Sequence, residues 1–222
     1  MTGLAKTSVP APTYRLVPSR FPPVSLFGTV ASAGDLDAVM ELEGWTNDRL
    51  VRQRLARLPR DEWVFGRSNA SVVMASFLHA APAGLRFTSA DLGGWYAALN
   101  VKTAVAEVAH HLRREAVNTG QSEMCLDYRS YVANVKGDLV DIRKGSSSWY
   151  DPASYAQSQA FGEAMRAAGE TGLVYDSVRH VGGTNVVIFR PTAIVDVCQG
   201  AHYELRVPVS GTITVRTLSS AS

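Results

Sequence analysis

The stretch N-V-K-T-A-V-A-E-V-A-H-H-L-R-R, Asn100 to Arg114, decides the fold class, because a capped helix stands here just ahead of a long run of strand patterns. Asn100 is a favoured N-cap residue. Val101, Ala104, Val105, Val108 and Leu112 recur at helical spacing and form one apolar stripe, and Arg113 and Arg114 stand where cations complement the C-terminal dipole. Downstream, strands are predicted over 123–133, 138–142, 172–175, 185–190, 192–198, 203–209 and 212–217, interrupted by one helix over about 154–168. Upstream, Tyr14-Arg15-Leu16-Val17 reads as a short strand ended by Pro18. Helices are expected over about 35–43, from Thr46 or Asn47 to Leu58, and over about 70–80, with short strands at Leu85-Arg86-Phe87 and Trp95 to Ala98. Helices first and sheet afterwards imply an α+β fold: a single compact domain with a mixed or antiparallel sheet and flanking helices.

The boundaries follow from the same patterns. Residues 1–12 read as a loose tail without the apolar core of a leader. Residues 13–217 read as the domain, with a helical elaboration over about 35–80, and 218–222 as a second tail. Gly145-Ser146-Ser147-Ser148 is expected to be a mobile loop. The longest uncharged run, Ser68 to Leu85, is broken by Asn69, Ser76, His79, Pro82 and Gly84, so no membrane span is expected and the chain reads as cytoplasmic. Cys125 and Cys198 read as two buried thiols and not as a disulfide framework. A net charge of only +2 argues against direct nucleic-acid or membrane binding. The basic residues are eighteen arginines and four lysines, which suits bidentate phosphate binding but is also what a GC-rich genome produces. Arg49, Arg57 and Arg60 lie opposite Val51, Leu55 and Leu58 on the second expected helix. That face reads first as a solvated surface, and otherwise as a docking surface for an acidic partner or a nucleic-acid contact.

Missing motifs narrow the chemistry. The chain has no GxGxxG opening a helix, no GxxxxGK[ST], no GxSxG and no HExxH, which argues against a dehydrogenase, a P-loop NTPase, an α/β-hydrolase and a zincin. Glu107 and His111 are four apart on one helix, but no third ligand is evident and no metal is expected. His110 reads as exposed and His111 as a groove or edge residue. Glu107 interrupts the apolar segment AVAEVA and lies roughly 120° from the centre of the stripe, at the edge of the core. Periodicity by itself reads it as an ordinary surface glutamate, with a cleft-facing carboxylate as the alternative. Gly182-Gly183 supplies a turn between Ser177-Val178-Arg179 and a strand from Asn185. This is a plain hairpin whose ends carry the polar groups of Ser177, Arg179 and Asn185.

The blocks YRLVPSRFPPVSLF at 14–27, RFTSADLGGWYAALNVKTAVAEVAHH at 86–111 and YDSVRHVGGTNVVIFRP at 175–191 together resemble the RES-domain family, in its longer members. The resemblance implies a fold similar to ADP-ribosyltransferase toxins and the role of toxin in a bacterial type II toxin–antitoxin module. It further implies NAD+ as substrate, cleaved at the nicotinamide–ribose bond, with ADP-ribose passing to water, phosphate or a protein side chain. By the same resemblance Glu107 is the catalytic acid, helped by Arg86 and Ser177. Arg15, Tyr14, Arg86, Tyr96 and Ser177 hold the dinucleotide, and Arg179 and Asn185 are polar groups able to join them. The implied partner is a cognate antitoxin with an Xre-like helix-turn-helix portion, bound in a hetero-oligomer. One departure stands out: shorter members have Arg-Trp-Asn where this chain has Arg86-Phe87-Thr88-Ser89. Two rivals remain at this stage: a noncatalytic module that binds a partner through the arginine-rich helix, and a metal-dependent hydrolase built on Glu107 and His111.

Overall fold

In the computed structural model, which describes residues 4–20 and 53–218, one nine-stranded sheet organises the chain. In chain order the strands are β1 (Lys6–Thr7), β2 (Thr13–Pro18), β3 (Trp95–Ala98), β4 (Glu123–Val135), β5 (Leu139–Asp141), β6 (Gly172–Asp176), β7 (Thr184–Ile188), β8 (Ile194–Pro208) and β9 (Thr214–Leu218). They lie side by side as β1-β5-β6-β7-β3-β2-β4-β8-β9. Only the β5–β6 pair is parallel, and its crossover carries a helix, as parallel neighbours require. The described helices are α1 (Ala70–Leu78), α2 (Val101–Asn118) and α3 (Ala156–Ala167). The fold is the expected mixed α+β domain.

Strand alternation sorts the core onto two faces. Val17, Trp95, Tyr131, Val186 and Ile188 pack with α1, whose residues are apolar nearly all round and mostly buried. On the other face Leu16, Tyr128, Leu205 and Val207 pack with α2, and Leu173, Tyr175 and Val187 form the cluster under α3 that includes Met165. The cap of α2 is as expected: Asn100 Oδ1 accepts from the Thr103 N–H at 2.8 Å. At the other end Gly120 takes φ +67° and the Gln121 N–H reaches Ala116 O at 2.9 Å, a left-handed glycine stop.

Several expectations are corrected. The tail over 1–12 contributes β1, paired with β5, and Val9 is buried; a two-residue strand carries too little pattern to be seen. Residues 85–88 form a tight turn closed by reciprocal Leu85 and Thr88 bonds, not a strand. The two strands read at 192–198 and 203–209 are one, β8, whose pairing with β4 shifts register around Gly200; there a Cβ would meet Ser130 Oγ at 2.7 Å. The serine loop is a 3-10 turn, Ser147–Tyr150, pinned by Trp149 stacking on Phe161 at 4.0 Å. Cys125 and Cys198 are exposed, because both project outward from the long β4–β8 ribbon. The helices expected over 35–43 and most of 46–58 lie outside the described residues. Residues 53–55 are helical and the chain then turns, so Arg57 and Arg60 are not on a helical face: Arg57 pairs with Asp91 at 3.0 Å and Arg60 lies over Trp63.

Candidate active site

A cavity of about 250 Å³ opens where α2 crosses β2 and β3, walled by the 85–86 turn, Tyr155 at the start of α3, and the ends of β6 and β7. Glu107 projects into it from α2, so its alternative reading, the cleft-facing carboxylate, is the one the structure adopts.

Its carboxylate is held from two strands. Ser177 Oγ donates to Glu107 Oε1 at 2.7 Å, and Asn185 Nδ2 donates to the same oxygen at 2.6 Å. The direction of the serine bond is fixed, because Ser177 Oγ itself accepts from the Arg179 and His180 N–H groups at 3.1 and 3.0 Å. Oε2 takes no bond among the described residues. Both donors sit on the β6–β7 hairpin, Asn185 opposite Tyr175 within the ladder and Ser177 just past the end of β6. The hairpin loop is closed by Ser177 N–H to Gly183 O and Gly183 N–H to His180 O, both 2.8 Å, with Gly182 at φ +75°. It is also latched to α2. Thr103 donates its hydroxyl to Asn100 Oδ1 at 2.9 Å, so His180 Nδ1, 2.8 Å away, acts as donor to the Thr103 oxygen. A Cβ at Gly183 would meet Thr103 Oγ1 at 2.6 Å, so only glycine leaves room for this contact.

The arginines are more firmly built into the fold than the sequence suggested. Alternation along β2 puts Tyr14 and Leu16 on the α2 face and Arg15 on the α1 face. There the Arg15 guanidinium lies 5.2 Å from the Trp95 ring centre, and its Nη1 donates to Tyr96 O where β2 splays from β3. Burial lowers its pKa to about 10, and its buried Nε finds no hydrogen-bond partner among the described residues. Arg86 is 7% exposed; one Nη donates to Trp149 O and Asp151 O at 3.1 and 3.0 Å, and the guanidinium lies 4.7 Å over the Tyr155 ring. Tyr96 lines the cavity, but its hydroxyl accepts from Phe87 N–H at 3.0 Å and meets Thr88 Oγ1 at 3.1 Å, and burial raises its pKa to about 12.

Of the residues singled out from sequence, Tyr14, Arg15, Arg86, Tyr96, Glu107 and Asn185 line the cavity, Ser177 bonds the acid, and Arg179 stands in the adjoining loop. Tyr155 and Tyr175 were not assigned a role. Tyr175 is buried edge-on to Phe87 at 4.8 Å, with its pKa raised far above normal by burial; its place two residues before Ser177, on the same strand face, was the available signal. Tyr155 carried none. His111 lines the cavity at its rim, the groove position expected of it, whereas His110, expected to be exposed, is half-buried. Burial, with Arg179 and other cations, pushes His110 down to about 4; burial and Arg114 lower His111 against the pull of Glu107. Among the described residues no cluster of three potential metal ligands forms, so Glu107 and His111 gain no third.

The RES domain family model matches residues 54–208, most of the chain. The chain belongs to the RES-domain family. An uncharacterized protein y4oC of Sinorhizobium fredii is 31% identical to this RES domain protein over 132 residues, covering 59% of this chain and 56% of y4oC, so the match spans little more than half of that relative. Among solved structures, a chain in the crystal structure of the M. tuberculosis MbcT–MbcA toxin–antitoxin complex superposes with a TM-score of 0.50 at 9% identity. The superposition covers 90% of the RES chain and 86% of the other, a likeness of fold. Among the described residues no helix is long and apolar enough to cross a membrane.

Proposed function

We propose that this RES domain protein is the toxin of a toxin–antitoxin pair, and that it cleaves the nicotinamide–ribose bond of NAD+ and passes ADP-ribose to water, to phosphate or to a protein side chain. One observation carries the reading. Glu107 is fixed through Oε1 by Ser177 and Asn185, which leaves Oε2 without a donor among the described residues on a side chain that lines the cavity. Departure of nicotinamide leaves an oxocarbenium-like ribose, so positive charge develops where a carboxylate can face it. A pre-aimed electrostatic contact of this kind is worth on the order of 10² to 10³ in rate. Ser177 and Asn185 act through Glu107: they hold its rotamer so that no reorganisation is needed as charge develops.

The walls fit the same substrate. Tyr14, Tyr96 and Tyr175 present rings to a flat heterocycle; Tyr96 offers a ring face, since its hydroxyl is committed to the 87–88 turn. At about 250 Å³ the cavity accommodates the nicotinamide–ribose half of the dinucleotide and leaves the remainder at the mouth. The family and the toxin–antitoxin complex that shares the fold support the toxin role and a cognate antitoxin, here proposed to carry an Xre-like helix-turn-helix portion and to cover the cavity in a hetero-oligomer. Cytoplasmic action follows from a cytoplasmic substrate.

The test is nicotinamide release from NAD+ by the purified full-length chain, with products identified by mass spectrometry while phosphate and cell extract are varied. Wild type releases nicotinamide, and Glu107→Gln retains its fold by circular dichroism but loses about 10² to 10³ in rate. A folded wild-type protein that leaves NAD+ intact under all of these conditions would make it a binding module and end the proposal. The antitoxin part fails if the neighbouring gene product neither co-elutes with the chain nor restores growth.

A further inference from the structure

We infer that the outer part of the α2 face, together with Arg179 from the facing hairpin loop, forms a seat for a phosphoryl anion at the mouth of the cavity. Glu107, His110, His111 and Arg114 follow at i, i+3, i+4 and i+7 and share one face of α2, a track about 10 Å long. His111 lines the cavity, so the track leads from the reaction centre to its rim. Arg179 reaches this face from the loop that holds Glu107: its N–H binds Ser177 Oγ, and its charge bears on both His110 and His111.

The cations there are arginines, with one carboxylate beside them. Among the described residues His110 feels Arg179, His111, Arg114 and Arg86, and His111 feels Arg114, Arg179 and one acid, Glu107. That acid is already engaged through Oε1 by two neutral donors. Arg179 Nη2 is buried and finds no hydrogen-bond partner among the described residues. A buried guanidinium donor without an acceptor is unfavourable, and an oxyanion with several lone pairs is the partner that satisfies it.

The nearer arginines do not compete for the role. Arg15 lies across the sheet with Nη1 on Tyr96 O, and Arg86 has one Nη on two carbonyls. Both are anchored in the framework, whereas Arg179 keeps Nη2 without an acceptor among the described residues. The shared ligand chemistry is a phosphoryl group, either the diphosphate of a dinucleotide or free inorganic phosphate. Only the first of these identities rests on the NAD+ reading.

The experiment follows the ring resonances of His110 and His111 in the isotope-labelled full-length chain while inorganic phosphate, ADP-ribose or sodium chloride is added at matched ionic strength. We expect a saturable shift with phosphate or ADP-ribose, accompanied by a rise of the His110 pKa from about 4. Arg179→Gln weakens binding by about tenfold or more, the loss of one charge-assisted bond, and the surface change Arg114→Gln weakens it less. A response to ADP-ribose alone assigns the seat to the diphosphate; a response to both, with competition between them, makes it a general phosphoryl seat. An equal response to chloride, or unchanged binding in Arg179→Gln, overturns the inference. No turnover is read, so anion binding without NAD+ cleavage would sink the proposed function alone, and cleavage without anion binding would sink this seat alone.

Discussion

Replacing Asn185 by aspartate tests the hold on Glu107 with almost no change in side-chain size. The substitution exchanges the Nδ2 donor, 2.6 Å from Glu107 Oε1, for a second carboxylate oxygen. Asn185 is 2% exposed, so little water separates the two acids. Two unit charges about 4 Å apart at an effective dielectric near 20 repel by about 4 kcal/mol, and the lost charge-assisted bond adds about 1.5–3 kcal/mol before the site relaxes. A shared proton removes the repulsion, so in the variant the pair titrates above the ~3.9 of an unfolded aspartate. A raised carboxyl pKa means the folded state keeps a proton that the unfolded chain has released. Stability therefore falls as pH rises from about 4 through the raised value, and levels off above it. Urea unfolding at matched ionic strength, from about pH 5 to 8, measures this against wild type and against Asn185→Leu, which removes the donor without adding charge. Near neutrality Asn185→Asp is expected to be less stable than wild type by about 3–5 kcal/mol, with the gap narrowing on acidification while that of Asn185→Leu does not. A gap independent of pH and equal to that of the leucine variant would refute the claim that residue 185 faces the acid.

Gly162→Ala places a Cβ 2.1 Å from Phe87 O; thermal unfolding should show a loss of about 1–3 kcal/mol, and the gain usual for alanine in a helix would contradict the close approach of α3 to the 85–88 turn. Cys125 and Cys198, both exposed, should react with a thiol reagent in the native protein as fast as in the unfolded chain; protection of either would contradict its outward position. His110 should titrate by NMR near 4 and be neutral at pH 7. Its lowered value means the unfolded chain takes up the proton first, so its contribution is complete above about 6.5 and is lost as pH falls toward 4. His110→Asn should flatten the stability profile in that window, and a midpoint near 6.5 would contradict the positive surroundings.

The fold was legible where periodicity was long. Asn100, the Val101–Leu112 stripe and the arginines at 113 and 114 announce α2, and alternation announces the later strands, because these elements bury one face and expose the other. Short or irregular pieces were not legible: β1 gains its structure from pairing with β5, and the 85–88 turn from Tyr96 and Thr88. The site was legible as a set of residues through the family resemblance, but not as an arrangement. Nothing local in VAEVA says that Glu107 faces a cleft, since that depends on Ser177 and Asn185 arriving across the sheet. The resemblance implied that Arg15 holds the dinucleotide, but a sequence does not show that β2 splays from β3 and that Arg15 satisfies the Tyr96 carbonyl there.

The two groups that hold Glu107 come 70 and 78 residues after it in the chain, which sets when the site can exist during synthesis. A ribosome adding about 5–20 residues per second needs about 4–16 s to travel from the acid to Asn185. Throughout that interval α2 can form while its carboxylate swings freely, and only docking of the β6–β7 hairpin aims it. The acid is therefore left unaimed until nearly the whole sheet has been made, so a chain cut short before Asn185 keeps α2 but not the site.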